Sequence, residues 1–399
     1  MKKDTSDLSL AFLDLIREEE HALSAGLPKM SQLNESVELQ FLRYKLRLQV
    51  RMLLYEGYVG ASGTDLSEAD FSECEALIDR RPGILGVSPV VNTFWRQVKL
   101  IQDDPHQIEL SSAQHLLAYQ NTYESLFSLG EARDFFEGMA GFANHLVNNG
   151  RKEFSQLSFI MGLRAIELKF RGKKKANPEE YLSDAVYFNV VIIGVSQLHH
   201  DDVNKLLEVN DFGRRESIRT IREWFEAFIN YYARFLDPLH RKKQQHYLRG
   251  VIYFHNEEYV ELVKVYANLS IPNHDVANII IKRCLFCASY SILYHGTAAE
   301  RRMMRRRNLN LDLQVDRMRK HLEYLREGRP AVSKRLSATF EEFGELKKIY
   351  ALRRTVEKGV MSASVKKKYL YEKSLVDPGK FKSAHSTKKW IERELSALP

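Results

Sequence analysis

Three stretches of this sequence set side chains at spacings that chemistry uses. The first is Cys284-Leu285-Phe286-Cys287, a CxxC whose thiols would share one helix face. That spacing serves dithiol exchange or supplies half of a zinc site. Cys74 is the one other cysteine, so no second pair completes a four-thiolate centre. The neighbours Ile279, Ile280, Ile281, Leu285 and Phe286 are apolar, and the expectation is a buried structural pair. The second stretch, His199-His200-Asp201-Asp202, offers imidazoles and carboxylates of the kind that hold metals. The third, Glu18-x-x-His21, is half of a di-iron bundle pattern that needs a second copy on another helix, and the sequence has none. No phosphate-binding glycine loop, GxSxG elbow, HExxH or zinc-finger spacing appears. The expectation is a protein that is not an enzyme and has no cofactor or metal; a hydrolase or metalloenzyme is the least favoured alternative.

The strongest signal outside architecture is basic. Arg301, Arg302, Arg305, Arg306 and Arg307 cluster, then Lys366, Lys367 and Lys368 stand beside Tyr369, and Lys388 and Lys389 beside Trp390. Cations interleaved with aromatics can meet phosphates and stack on bases. An acidic protein surface suits the same residues, and a solvated helix face is the plainest reading of any charge run. Residues 301–399 hold 26 Lys/Arg against 12 Asp/Glu, whereas the rest of the chain holds 34 against 40. A basic last quarter on an acidic body permits an acidic partner, nucleic acid or protein, without demanding one.

The elements that must position these groups read as helices. The 399 residues are 44% hydrophobic and 28% charged, which suits a folded chain, and 20 Gly with 10 Pro are too few for many strands and tight turns. Residues 8–24 carry Leu8, Phe12, Leu15, Ile16 and Leu23 at helical spacing. In 218–235 the stripe Ile218, Ile221, Phe225, Phe228, Tyr232 and Phe235 is widened by Trp224, Ile229 and Tyr231, which predicts a helix covered on more than one side. Residues 334–354 set Leu336, Phe340, Phe343, Leu346, Ile349 and Tyr350 opposite Lys and Glu. From Arg43 to Met52 charge alternates with apolar residues as in a strand. Helical spacing there puts Arg43, Arg47 and Arg51 on one face and Phe41, Tyr44, Leu48 and Met52 on another, and helix is the preferred reading. Asn148-Asn149-Gly150 is an expected helix stop.

The opening MKKDTSDLSLAFLDLIREEEH is interrupted by charge and does not read as a signal peptide. The most apolar run, Ala185 to Val195, is about half of what a membrane span needs, so no membrane is expected. Three cysteines form no disulfide framework, and a cytoplasmic location follows as the default.

One motif occurs twice. Residues 194–207 read GVSQLHHDDVNKLL and residues 250–263 read GVIYFHNEEYVELV, pairing Gly194 with Gly250, His199 with His255, and Leu206 with Leu262. Each copy runs from a small residue late in one helix, through a polar turn, into a second helix. Because Asn256 stands where the first copy has His200, the shared features fit a turn and a helix start better than a metal site. Such a hairpin cannot bury its apolar face alone and must stack on neighbours.

The copy at 245–272, with Gly250, Tyr253, the turn Asn256-Glu257-Glu258, Tyr259 and Tyr266, resembles a tetratricopeptide hairpin. It departs from that pattern at Leu262 and Leu269, where small residues are usual, and in an early Pro272. The two copies lie 56 residues apart, against about 34 in a regular array. From about residue 180 onward the chain is also similar to uncharacterised bacterial tetratricopeptide-like helical proteins. The features are Tyr187-Phe188-Asn189, the hairpin, the basic helices over 312–354, and Trp390-Ile391 in a terminal helix. That resemblance implies an all-α superhelical stack of helix hairpins, and it transfers no activity and no functional residue. The expected organisation is a helical cap or bundle over 1–80, a repeat array over 91–356 and a basic segment with a capping helix over 357–399. The expected function is a protein–protein scaffold that holds a peptide or partner helix in a groove, with nucleic-acid binding through the basic quarter as the alternative.

Overall fold

The computed structural model describes residues 37–50 and 72–399, apart from 82, 105, 149, 179–180, 199–201, 273, 308, 329–336, 358–361 and 379–384. Among the described residues every regular element is helical and none is a strand. The helix expected over 8–24, the Glu18-x-x-His21 pattern, and His199, His200, Asp201 and Leu336 lie outside them. The chain divides into two compact units, one through Phe142 and one from Ala143.

The first unit contains α1 (37–50), α2 (Ser72–Arg80), the single turn α3 (Ile84–Val87), α4 (Pro89–Gln102), α5 (Leu110–Thr122) and the first part of α6 (Leu129–Asn148). Ser88 starts α4: its hydroxyl accepts from the Val91 amide, and Pro89 occupies the first helical position, where its missing N–H costs nothing. The described part of the region with alternating charge, 43–50, lies in helix α1, while Arg51 and Met52 fall outside the described residues; its buried stripe is not the face of Phe41, Tyr44 and Leu48. Leu42, Leu46 and Val50 face inward while Phe41 is exposed. The cause lies in the arginines. Arg43 donates twice to Glu131 at 2.9 Å, and Arg47 donates to Asp134 at 2.9 Å. Both carboxylates are buried, so each needs a charged partner, and meeting them fixes the rotation of α1.

The second unit continues through α7 (Ser155–Phe170), α8 (Asp184–Gln197), α9 (Val203–Val209), α10 (Ile221–Tyr232), α11 (Arg241–His255), α12 (Tyr259–Tyr266) and α13 (Asp275–His295). It ends with α14 (Ala298–Arg306), α15 (Leu311–Gly328), α16 (Ser337–Glu357), α17 (Ala363–Ser374) and α18 (His385–Ala397). The expected stop after Asn148 is present, with the Arg151 amide reaching back to the Leu146 carbonyl and Gly150 to Val147.

Consecutive helices pack on each other: α7 on α8, α11 on α12, α12 on α13. Helix α11 also packs on α8. Helix α10 opens with a capping box, Thr220 accepting from the Glu223 amide while Glu223 accepts from the Thr220 amide. As expected, α10 is covered on several sides; Trp224, Phe225, Phe228, Ile229 and Tyr232 are all buried. Phe228 lies between two stacked neighbours, with the Trp224 ring at 5.6 Å and the Tyr187 ring at 5.7 Å.

Helix α13 is the one helix among the described residues long and apolar enough to cross a membrane, and 67% of that apolar window is buried inside the fold. Phe343, Leu346 and Ile349 of α16 are buried as expected, but Glu342 and Glu345 are buried with them. The reason is again partnership. Glu342 takes the guanidinium of Arg283, itself almost fully enclosed. Glu345 takes Lys348 at 3.0 Å and the Asp377 amide at 3.0 Å.

Candidate functional site

The most built-up site of the second unit starts at the turn between α11 and α12. Asn256-Glu257-Glu258 reverses the chain, and Glu257 does so at φ 60, a left-handed conformation uncommon for any residue with a Cβ. The turn aims the Glu257 carboxylate at α18, where Arg393 pairs with it. The same guanidinium donates to the Tyr259 hydroxyl at 2.9 Å and to Glu394 at 3.2 Å. Trp390, one turn earlier, donates its indole N–H to Ser291 of α13 at 2.8 Å, and its ring meets the Tyr290 edge at 5.2 Å. His295, at the end of α13, lies 2.8 Å from Glu394 through Nε2.

Glu257, Tyr259, Ser291, His295, Arg393 and Glu394 line an open cleft of about 500 Å3. Val260, Ile292 and Ala397 give it apolar surface, and Glu257, Glu300, His295 and Arg393 give it a charged rim. Glu300 also closes the capping box that starts α14, accepting from the Thr297 amide at 2.6 Å. Burial, with the nearby carboxylate of Glu257, pushes the Tyr259 hydroxyl up to about 12 against the opposing pull of Arg393. For Arg393 burial opposes the charge, and Tyr259, Glu257 and Glu394 more than offset it, so its pKa rises. The cleft is an apolar seat ringed by charged and polar side chains.

The CxxC sits inside α13 with both thiols free and buried. Burial pushes the Cys284 thiol up to about 11 and Cys287 well above its ordinary value. Neither is a thiolate nucleophile at neutral pH. Asp202, the described residue of the histidine–aspartate stretch, pairs with Lys205 at the start of α9. Among the described residues no group of three or more His, Cys, Asp or Glu could hold a metal.

The basic residues divide among three helices. Arg301, Arg302, Arg305, Arg306 and Arg307 belong to α14 and its C-terminal cap, Lys366, Lys367 and Lys368 to α17, and Lys388 and Lys389 to α18. Arg302 turns its guanidinium onto the Ala298 carbonyl of its own helix. Lys388 is 3.7 Å from Glu392. No carboxylate is shared between the clusters among the described residues. The two aromatics that stand beside the lysines in sequence, Tyr369 and Trp390, are each 2% exposed, which removes them as stacking platforms for bases.

Sequence reasoning missed the Arg393 hub. Its partner Glu257 lies 136 positions away; the sequence marks Glu257 only as part of the repeated turn and Arg393 only as a charged flank of the terminal helix. It also missed the buried acids Glu131 and Asp134. The four-residue rhythm of Arg43 and Arg47 was the available half of that signal.

No protein-family model matches the chain, and neither a curated protein nor a solved structure does.

Proposed function

We propose that the protein is a non-catalytic, cytoplasmic scaffold, a divergent tetratricopeptide-like solenoid whose hairpins stack in a right-handed superhelix and whose groove receives a peptide or partner helix. The packing of α7 on α8, α11 on α12 and α12 on α13, with α11 returning to α8, supports the stack. One observation carries the binding role: the cleft bounded by the α11–α12 turn, the end of α13 and α18 combines apolar surface with a charged rim, at a volume that suits a few side chains of a peptide.

The test is affinity capture of the tagged chain from its native lysate, with and without nuclease, alongside a Val260→Asp variant that charges the cleft wall without touching an ion pair. A protein partner that survives nuclease and is lost with V260D is the expected result. Partners that vanish with nuclease, with RNA or DNA recovered, would overturn the scaffold in favour of the basic quarter. A partner retained undiminished by V260D would remove the cleft as its seat.

A further inference from the structure

Helix α17 has apolar residues on two sides. Its inner side is held by Tyr369, buried against the fold, and by Val376 just past its end. The outer side would ordinarily be polar, yet Leu370 is 50%, Tyr371 65% and Leu375 46% exposed, with Val365 at the edge 41% exposed. At 100° per residue, Tyr371 and Lys367 share the outward sector, and Lys366 and Lys368 flank it. Lys366 and Lys367 have no carboxylate partner among the described residues, and Lys368 reaches Glu372 only at 3.8 Å. The helix is already formed without a ligand, its first turn capped by Ser362 accepting from the Val365 amide.

We propose that α17 is a docking surface for an anionic lipid bilayer. Its apolar residues enter the acyl boundary, the Tyr371 hydroxyl stays at headgroup level, and the lysine stems lie along the interface with their ammonium groups on lipid phosphates and carboxylates. Charge complementarity selects the occupant: Lys366 and Lys367, without a carboxylate partner among the described residues, suit an anionic surface, and the exposed Leu370, Tyr371 and Leu375 beside them suit an apolar one. A nucleic acid would satisfy the lysines and leave Leu370 and Leu375 in water. One short helix gives weak, reversible adhesion, so the contact localises the protein without anchoring it.

The experiment is sedimentation of the full-length chain with phosphatidylcholine vesicles, with and without about 30% phosphatidylserine. Binding is expected only to the anionic vesicles. The double variant Leu370→Ser, Tyr371→Ser should weaken it by about tenfold or more, whereas R305A/R306A/R307A on α14 should leave it within about twofold. Because every substituted side chain is exposed, unchanged circular dichroism is expected throughout. A second readout uses Y371W, whose added fluorescence should shift to the blue with anionic vesicles alone. Absence of anionic binding, binding undiminished by L370S/Y371S, or an unshifted Y371W would overturn the proposal. So would a chain that ignores vesicles and binds a single-stranded polynucleotide. The assay contains no protein partner, so its failure leaves the scaffold reading untouched.

Discussion

The two hairpins share a motif and use it differently. In the second, Gly250 of α11 faces Tyr266 of α12, its own hairpin partner. A Cβ there would lie 2.0 Å from the tyrosine ring. In the first, Gly194 of α8 faces Phe159 of α7 and Phe225 of α10, at 2.6 and 2.7 Å from the same imagined Cβ. The position equivalent to Tyr266 is Asn210, which donates to the Tyr232 hydroxyl and accepts from the Trp224 indole. A seven-residue α9 that lacks the terminal aromatic cannot fill the groove over its own glycine, so neighbours do. The glycine therefore marks a place of close helix approach, and which helix approaches depends on where the nearest large ring is available.

Four experiments press on that difference. The largest effect is expected for Gly250→Ala, because Tyr266 is fully buried and its hydroxyl is held on the Tyr247 carbonyl at 2.6 Å, so the ring cannot retreat without losing that bond. Overpacking should cost about 3 kcal/mol, of which about 1 is returned by better helix propensity. Chemical denaturation measures the net loss, and no loss would deny the close approach. Gly194→Ala should cost less, about 1 kcal/mol net, since its contacts are longer and fall on two rings that can each shift slightly. Equal effects at the two positions would erase the distinction drawn between the hairpins.

Tyr266→Phe keeps the ring and removes the hydroxyl, leaving the Tyr247 carbonyl short of a donor. It should cost about 1 kcal/mol and should soften the penalty of G250A in the double variant, where coupling in a thermodynamic cycle is the readout. The smallest effect concerns pH. Burial and the nearby Lys282 lower the pKa of His321 on α15, which packs on α13 beyond the second hairpin. Its folded pKa lies below the ordinary 6.5, so the unfolded chain takes up the proton first. Stability from this group is complete above the unfolded pKa and is lost as pH falls below it. His321→Gln should flatten that slope in the mildly acid range, and an unchanged slope would remove His321 from the account.

Helical character and the hairpin motif were legible because both depend on local spacing. The stripe of α10 fixed its burial on several sides, and Asn148-Asn149-Gly150 fixed a helix end, each from a few neighbouring residues. The rotation of α1 was not legible. Phe41 and Tyr44 promise as much buried area as Leu42 and Leu46, and the choice falls to carboxylates about ninety residues away. Buried Glu342 and Glu345 were hidden for the same reason, since a charged residue on a helix reads as solvated until its partner is known. The cleft beside Arg393 joins a turn, a helix end and the last helix, three places that no local pattern connects. The exposed ring of Tyr371 and the buried ring of Tyr369 are two residues apart, and only the packing of α17 on α16 tells them apart.

Helix α13 also sets a problem of timing. During synthesis it emerges as the most apolar long helix of the described chain, while its cover arrives late: Trp390, which seals Tyr290 and Ser291, follows by 99 positions. At ordinary ribosomal speeds of about 5–20 residues per second the helix stays partly uncovered for roughly 5–20 s. Over that interval it presents to the cell the features of a nascent membrane segment. Lys282 and Arg283 near its middle, the latter paired with Glu342 in the finished fold, are charges that discourage insertion until the last helix closes over it.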